Sequence, residues 1–221
     1  MKKIIACSFL SLFIAGASLF AAEIVFAPSV GGSLYTVNSP VEVSVPADKN
    51  QLDSYSKKAV AFILPLPSFG LDAHFTNENS GFTFSLVNNL GVPITLYRKG
   101  GFGDESRKAL GFAWDGQMLF GYTYGVKKDF ALTVGVGPGF ALGLFNAIPN
   151  EKRILSVYYN LSPIGAHMAF RYYFTEHAGI SVNIYDSVGI SGLVLDKKTN
   201  AAGTFGIGNV FTLKLGAAFR L

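Results

Sequence analysis

Charge is scarce in this chain. Only 14% of its 221 residues are Asp, Glu, Lys or Arg, against about 25% in an average soluble domain, which argues against an ordinary cytosolic protein. Cysteine is nearly absent too. The single Cys7 falls in a segment read below as a removable leader, so the remainder has neither disulfides nor thiolate ligands for a zinc or iron–sulfur site. Long apolar runs are missing after the leader: the longest, Ala59 to Pro67, is nine residues broken by Pro65 and Pro67, too short for a helical membrane span. What is abundant is aromatic and small: 20 Phe, 10 Tyr and 25 Gly. That much apolar surface excludes a solvated, disordered coil. The net charge of +4 includes Lys2 and Lys3; without them 16 basic residues face 14 acidic ones, a balance that carries no nucleic-acid signature.

Residues 1–22 read as a signal peptide: a basic start at Lys2 and Lys3, an apolar stretch from Ile4 to Ile14, and a small-residue end closing at Ala21 and Ala22, near which cleavage is expected. Residues 23–221 then form one domain.

The hydrophobicity of that domain is distributed with period two. From Leu110 to Gly125 one row reads Phe112, Trp114, Gly116, Met118, Phe120, Tyr122, Tyr124 and the other Gly111, Ala113, Asp115, Gln117, Leu119, Gly121, Thr123. Such alternation is a strand with two unlike faces. After the charged turn 126–129 it resumes at Phe130, Leu132 and Val134, giving a hairpin. Similar pairs flank 77–80 (Phe69 to Phe75, then Phe82 to Leu86) and 175–178 (Ile164 to Phe174, then Ile180 to Ile184). A final strand runs from Ile207 to Leu221, and a first from Ile24 to Tyr35, interrupted by Pro28 and Gly31–Gly32. The count is eight.

Three short turns alternate with longer connections near 36–58, 96–108, 146–153 and 192–204, the plan of a transmembrane barrel. A soluble sandwich or lipocalin-like barrel also alternates, but its outward row should be rich in Lys, Glu and Thr. Here the second row is mostly Gly, Ala, Ser and Thr, which suits a narrow interior. The apolar rows hold no Lys or Arg, and 13 of the 16 basic residues lie in turns or loops, in line with a cost of roughly 2–4 kcal/mol for such a charge at mid-bilayer. Phe75, Phe82, Tyr122, Tyr124, Phe130, Tyr172, Phe174 and Phe219 all lie near a short turn or the C-terminus and are expected to form an aromatic girdle at one interface. The expected fold is all-β: an eight-stranded antiparallel up-and-down transmembrane β-barrel with short periplasmic turns and longer extracellular loops.

Over essentially the whole domain the sequence resembles the small eight-stranded bacterial outer-membrane barrels of the OmpW, OmpX and OmpA-barrel type. The terminal strand from Phe211 to Leu221 looks like the alternating signal read by the barrel-insertion machinery, with Phe211, Phe219 and Leu221 as its outward anchors. Barrels of that type usually end in Phe or Trp, whereas this chain ends in Leu221. The leader and the opening Val25–Gly31 also resemble OmpW-like barrels of spirochaetes. The resemblance implies an outer-membrane location, partners in outer-membrane lipid and the export and barrel-assembly machineries, and no cofactor.

An eight-stranded lumen is nearly filled by side chains, which argues against a wide pore. Inward Gly and Ala leave room for a few large polar residues: Asp72, His74, Asp115, Gln117, His167, Arg171, Tyr173 and Lys214. Asp72, His167, Arg171 and Lys214 fall at comparable depth and are expected to form a salt-bridged plug, since charges in a dry space require partners. For catalysis of the lipid A deacylase or acyltransferase kind a hydroxyl must sit beside a histidine base; His74 and Thr76 share a face, but no carboxylate orients them, and no catalytic residue is assigned. The two inward histidines lack further ligands at metal-binding spacing, so no metal is expected. Pro138 and Pro163 break the ladder within long strands. In OmpW-like barrels a lateral exit is proposed for small hydrophobic solutes, and this resemblance is the reason to expect a narrow channel for such solutes. The alternative is surface adhesion to a host ligand through the long loops, where Val41–Val45 alternates as a protruding ribbon would. Asp186 is the one charge in an outward phase, either through a bulge after Ile184 or at the outer interface.

Overall fold

The computed structural model describes residues 23–46, 53–55, 59–100, 105–146, 155–196 and 200–221; residues 1–22, expected to be a leader, lie outside them. The elements are β1 Glu23–Pro46, β2 Asp53–Tyr55, β3 Ala59–Thr76, β4 Phe82–Gly100, β5 Glu105–Lys108, β6 Leu110–Tyr124, β7 Phe130–Asn146, β8 Leu155–Tyr173, β9 Ala178–Asp196 and β10 Asn200–Arg220. Their order in space is β10-β9-β8-β7-β6-β4-β3-β1, and β10 pairs with β1 to close the sheet. Closure removes the sheet edges, the only way a sheet satisfies its backbone in lipid. β2 carries the β3 stave onward, pairing Glu42 with Tyr55 just beyond Ser39 with Ala59. β5 likewise prolongs β6, pairing Thr95 with Lys108 and followed by an Ala109 N–H bond to the Ile94 carbonyl. The staves number eight, each antiparallel to its neighbours.

The two rows separate as the alternation requires. On β6 the side chains of Ala113, Asp115, Gln117, Leu119 and Thr123 are buried, while Phe112, Trp114, Met118, Phe120 and Tyr122 are exposed and Tyr124 is 59% accessible. A soluble sandwich would bury that aromatic row; here it covers the outside of a closed barrel. At Pro65–Leu66–Pro67 a bulge interrupts β3. It resets the phase, so that Ala61 and Ile63 above it and Ser68 and Asp72 below it all face inward; without it the apolar run at 59–67 would turn the ionic row into lipid.

The turns are built by residues that tolerate or supply the required geometry. Gly81 and Gly125 have φ of 72° and 75°, a region costly for residues with a Cβ. The Asn77 carboxamide oxygen accepts the Asn79 and Ser80 N–H groups at 3.0 and 3.1 Å, a side-chain mimic of a backbone turn.

Three of the long connections differ from their expected extent: much of what reads as connection at 36–58, 96–108 and 192–204 is strand, while 147–154 lie outside the described residues. β1 runs to Pro46 rather than Tyr35, and its Val41–Val45 stretch pairs with Phe205–Ala201 on one side and in part with β2 on the other. Strands carried beyond the bilayer satisfy backbone groups that an irregular loop would leave to water.

Candidate functional site

The lumen is stratified, and each layer follows from which inward residue the register places at that height. At the short-turn end Arg220 meets Glu23 at 3.2 Å, lies 3.6 Å from the Tyr173 ring centroid, and donates to the Lys128 carbonyl at 2.8 Å. Above it are four threonines, each near the turn end of its strand: Thr76, Thr83, Thr123 and Thr133, joined by hydroxyl contacts of 3.0, 2.7 and 2.7 Å. Arg171 donates to Thr133.

The next layer holds His74 and His167, stacked at 5.4 Å, with His74 Nδ1 2.9 Å from the Ser85 hydroxyl. Above that the Lys214 ammonium contacts Asp72 at 2.6 Å, both side chains 0% accessible. Gly70 makes the space, since a Cβ there would stand 2.6 Å from Lys214 Nζ. At mid-barrel Asp115 accepts bonds from Tyr35 at 2.6 Å, Asn89 at 3.1 Å, Ser33 at 3.4 Å and from Tyr185. The outer half is different in kind: Tyr158 stacks on Tyr35 at 5.0 Å, and Val37, Ala61, Ile63, Leu96, Phe145, Leu193 and Leu195 fill the space beyond, all buried. Polar below and apolar above, the lumen is closed by packed side chains.

Of the four residues grouped above as a salt-bridged plug, only Asp72 and Lys214 pair. Arg171 bonds a threonine, and His167 lies against His74. The hydroxyl at His74 is Ser85, across the strand pair, rather than Thr76; both are buried inside the barrel, away from acyl chains. Gln117 lies behind the wall, where a Cβ at Gly165 would come within 3.2 Å of its amide. Among the described residues no group of three or more His, Cys, Asp or Glu gathers as a metal site requires. Tyr35, Tyr185, Asn89, Ser33, Glu23 and Arg220 complete the network without having been singled out. The signal was present: Tyr185 is the complement of Ile180, Val182 and Ile184, and Tyr35 the complement of Val30 and Leu34.

Outside, Phe82, Tyr122, Tyr124, Phe130, Tyr172, Phe174 and Phe219 are exposed near the short turns, with Tyr122 and Tyr124 4.7 Å apart and Tyr172 and Phe174 5.6 Å apart. Phe75 keeps the outward phase between inward His74 and Thr76 but is only 5% accessible, being stacked on its cross-strand neighbour Phe84. A second group of aromatics stands nearer the other end, in pairs Trp114–Phe140, Phe62–Tyr97 and Tyr159–Phe205. The ten residue steps from Tyr122 to Phe112 on β6 span about 25 Å of barrel height at ordinary rise and tilt, the thickness of an outer-membrane apolar band. Phe211, Phe219 and Leu221 all face outward on the closing strand. Asp186 is outward too, with no phase reset on β9, and it accepts a bond from the Asn209 amide.

The wall is irregular at Pro138 and Pro163. Pairing of β7 with β8 shifts between Gly137 and Gly139, and that of β8 with β9 between Leu161 and Ile164. A hollow of about 340 Å³ opens beside Met118, Pro138 and Phe140. β8 and β9 nevertheless stay in contact, since a Cβ at Gly189 would meet the Leu161 carbonyl at 2.1 Å, and β7 stays against β6, where a Cβ at Gly137 would meet the Met118 carbonyl at 2.1 Å.

This architecture is that of small outer-membrane barrels. The crystal structure of the outer membrane protein OprG from Pseudomonas aeruginosa is similar, with a TM-score of 0.56 at 13% identity over 91% of this chain and 96% of that one. The solid-state NMR structure of outer membrane protein AlkL in lipid bilayers gives 0.50 at 12% identity, covering 90% of each chain. At such identities the likeness is one of fold. No curated protein matches the sequence. Residues 20–221 match the model of a family described as Domain of unknown function (DUF2715), and the chain belongs to that family.

Proposed function

We propose that the protein admits small apolar solutes from the outer side and releases them sideways into the membrane. The observation that carries this reading is the division of the lumen: an apolar outer half standing on an ionic and hydroxyl-lined floor. A neutral apolar molecule gains by entering the first and loses by displacing the hydrogen bonds of the second. The axial route is closed to it by Asp115, Asp72 and Lys214. The irregular wall at Pro138 and Pro163 offers the alternative, because a residue without an N–H cannot hold the ladder there.

The test is uptake of a naphthalene-sized fluorophore by cells whose outer membrane contains the barrel. Pro138→Ala with Pro163→Ala, which restores two donors, is expected to reduce uptake several-fold while the refolded protein shows the native melting temperature. Uptake equal to that of cells without the barrel would overturn the reading. Planar-bilayer recording of the refolded domain is expected to show no sustained ionic conductance.

One observation favours a second reading, adhesion to a host ligand: the β1–β10 pairing continues to Pro46 and Asn200, a ribbon longer than spanning requires. Host-ligand binding that is lost on trimming this ribbon, with uptake retained, would favour it.

A further inference from the structure

We infer that the turn-side half of the lumen binds a small monovalent anion, of which chloride and bromide are the probes, between Arg171 and His74. Among the described residues three carboxylates and three cations face the lumen: Glu23, Asp72, Asp115, Arg171, Lys214 and Arg220. They sum to zero, yet they do not pair to zero. Glu23 is taken by Arg220 and Asp72 by Lys214. The two that remain, Asp115 and Arg171, stand at different heights with the Asp72–Lys214 pair between them.

Their surroundings differ in a way that decides which one calls for a ligand. Both oxygens of Asp115 are engaged, by four donors. Arg171 is 1% accessible, spends one Nη on Thr133, and its Nε and other Nη have no acceptor. A guanidinium with unfilled donors in a dry interior is strongly disfavoured, and an anion on those donors removes the penalty. Its neighbour supplies another donor. His74 Nε2 is buried and likewise has no partner; in the tautomer an anion would select, the Ser85 hydroxyl donates to Nδ1, 2.9 Å away, and the ring proton lies on Nε2. Thr133, the partner of Arg171, begins the hydroxyl chain through Thr123 and Thr83 that ends at Thr76, the next inward residue after His74 on β3.

The side chains on the neighbouring strand pair are small. Gly135, paired with His167, and Ala169, paired with Thr133, present nothing larger than a methyl group. The threonine hydroxyls can turn their protons toward an anion, being both donors and acceptors.

The experiment uses the refolded barrel in detergent. Its melting temperature is followed with increasing sodium bromide against sodium gluconate at matched ionic strength, gluconate being too large to enter. A saturable rise of about 5 °C with bromide alone is expected, and its loss in Arg171→Met. Crystals grown in bromide should show an anomalous peak in contact with Arg171. This second measurement needs no variant and so holds if Arg171→Met does not refold. No peak at Arg171, equal melting in the two salts, or a bromide effect that persists in Arg171→Met would each overturn the site.

Discussion

The Asp72–Lys214 pair is where a single residue carries most consequence. Both side chains are wholly inaccessible, so removing one partner strands the other. Lys214→Met is expected to cost about 3–5 kcal/mol, the usual penalty for an uncompensated buried charge, whereas Asp72→Leu with Lys214→Met should recover most of it. Urea unfolding of the refolded barrel in detergent reads both, and equal losses for the single and double variants would show that the charges are not coupled. Gly70 belongs to the same argument. Gly70→Ala would press on Lys214 Nζ and on the Ser29 hydroxyl, 2.8 Å from the added carbon, and should destabilise by about 1–3 kcal/mol through overpacking. Asp115 depends instead on neutral donors: Tyr35→Phe deletes its 2.6 Å bond and is expected to cost about 1–3 kcal/mol in the same assay, as lost partners of buried charges do.

Among the strands, β10 tests most directly which row meets lipid. Leu215 faces out and Lys214 in, one residue apart, and Leu215 lies four residues above the girdle residue Phe219. Leu215→Arg should therefore cost roughly 2–4 kcal/mol in folding into a bilayer, measured by equilibrium refolding into lipid vesicles; a loss below about 0.5 kcal/mol would mean that this row is not at mid-membrane. The row assignment was legible in the sequence because period two has only two answers, and the apolar one recurs in the same phase across eight staves. Contacts across the lumen were not. Which inward residues meet depends on the shear of the barrel and on the bulge at Pro65–Pro67, and neither has a local signature. So Asp72 and Lys214, 142 positions apart, were both named as lumen residues, whereas the threonine layer and the Tyr35–Asp115–Tyr185 cluster emerged only with the register. Strand ends were legible only in part: Val41–Val45 alternated as a ribbon would and is paired, but the rest of 36–58 and 192–204 read as loop, and only pairing with a partner makes strand of it.

Taken as a whole the molecule is lopsided along its axis, and this sets its orientation. The short turns, the exposed girdle and the charged floor are at one end; the apolar lumen and the prolonged strands are at the other. From Phe26 to Pro46 β1 rises about 50 Å at ordinary strand rise and barrel tilt, of which an apolar band takes about 25 Å. The rest stands clear of the membrane, on the side away from the turns. Because Cys7 is the chain's only cysteine and lies in the segment expected to be removed as a leader, a single introduced thiol would be unambiguous once that segment is cleaved. Ser44→Cys, in the paired ribbon of β1, is expected to react with a membrane-impermeant maleimide on intact cells. Asn79→Cys, at the tip of the first short turn, should react only after the outer membrane is permeabilised. Reaction of Asn79→Cys on intact cells would invert the barrel, and with it the assignment of the apolar half as the entrance: solutes would then meet the ionic floor first, and neither the apolar outer half nor the irregular wall at Pro138 and Pro163 would lie on their route.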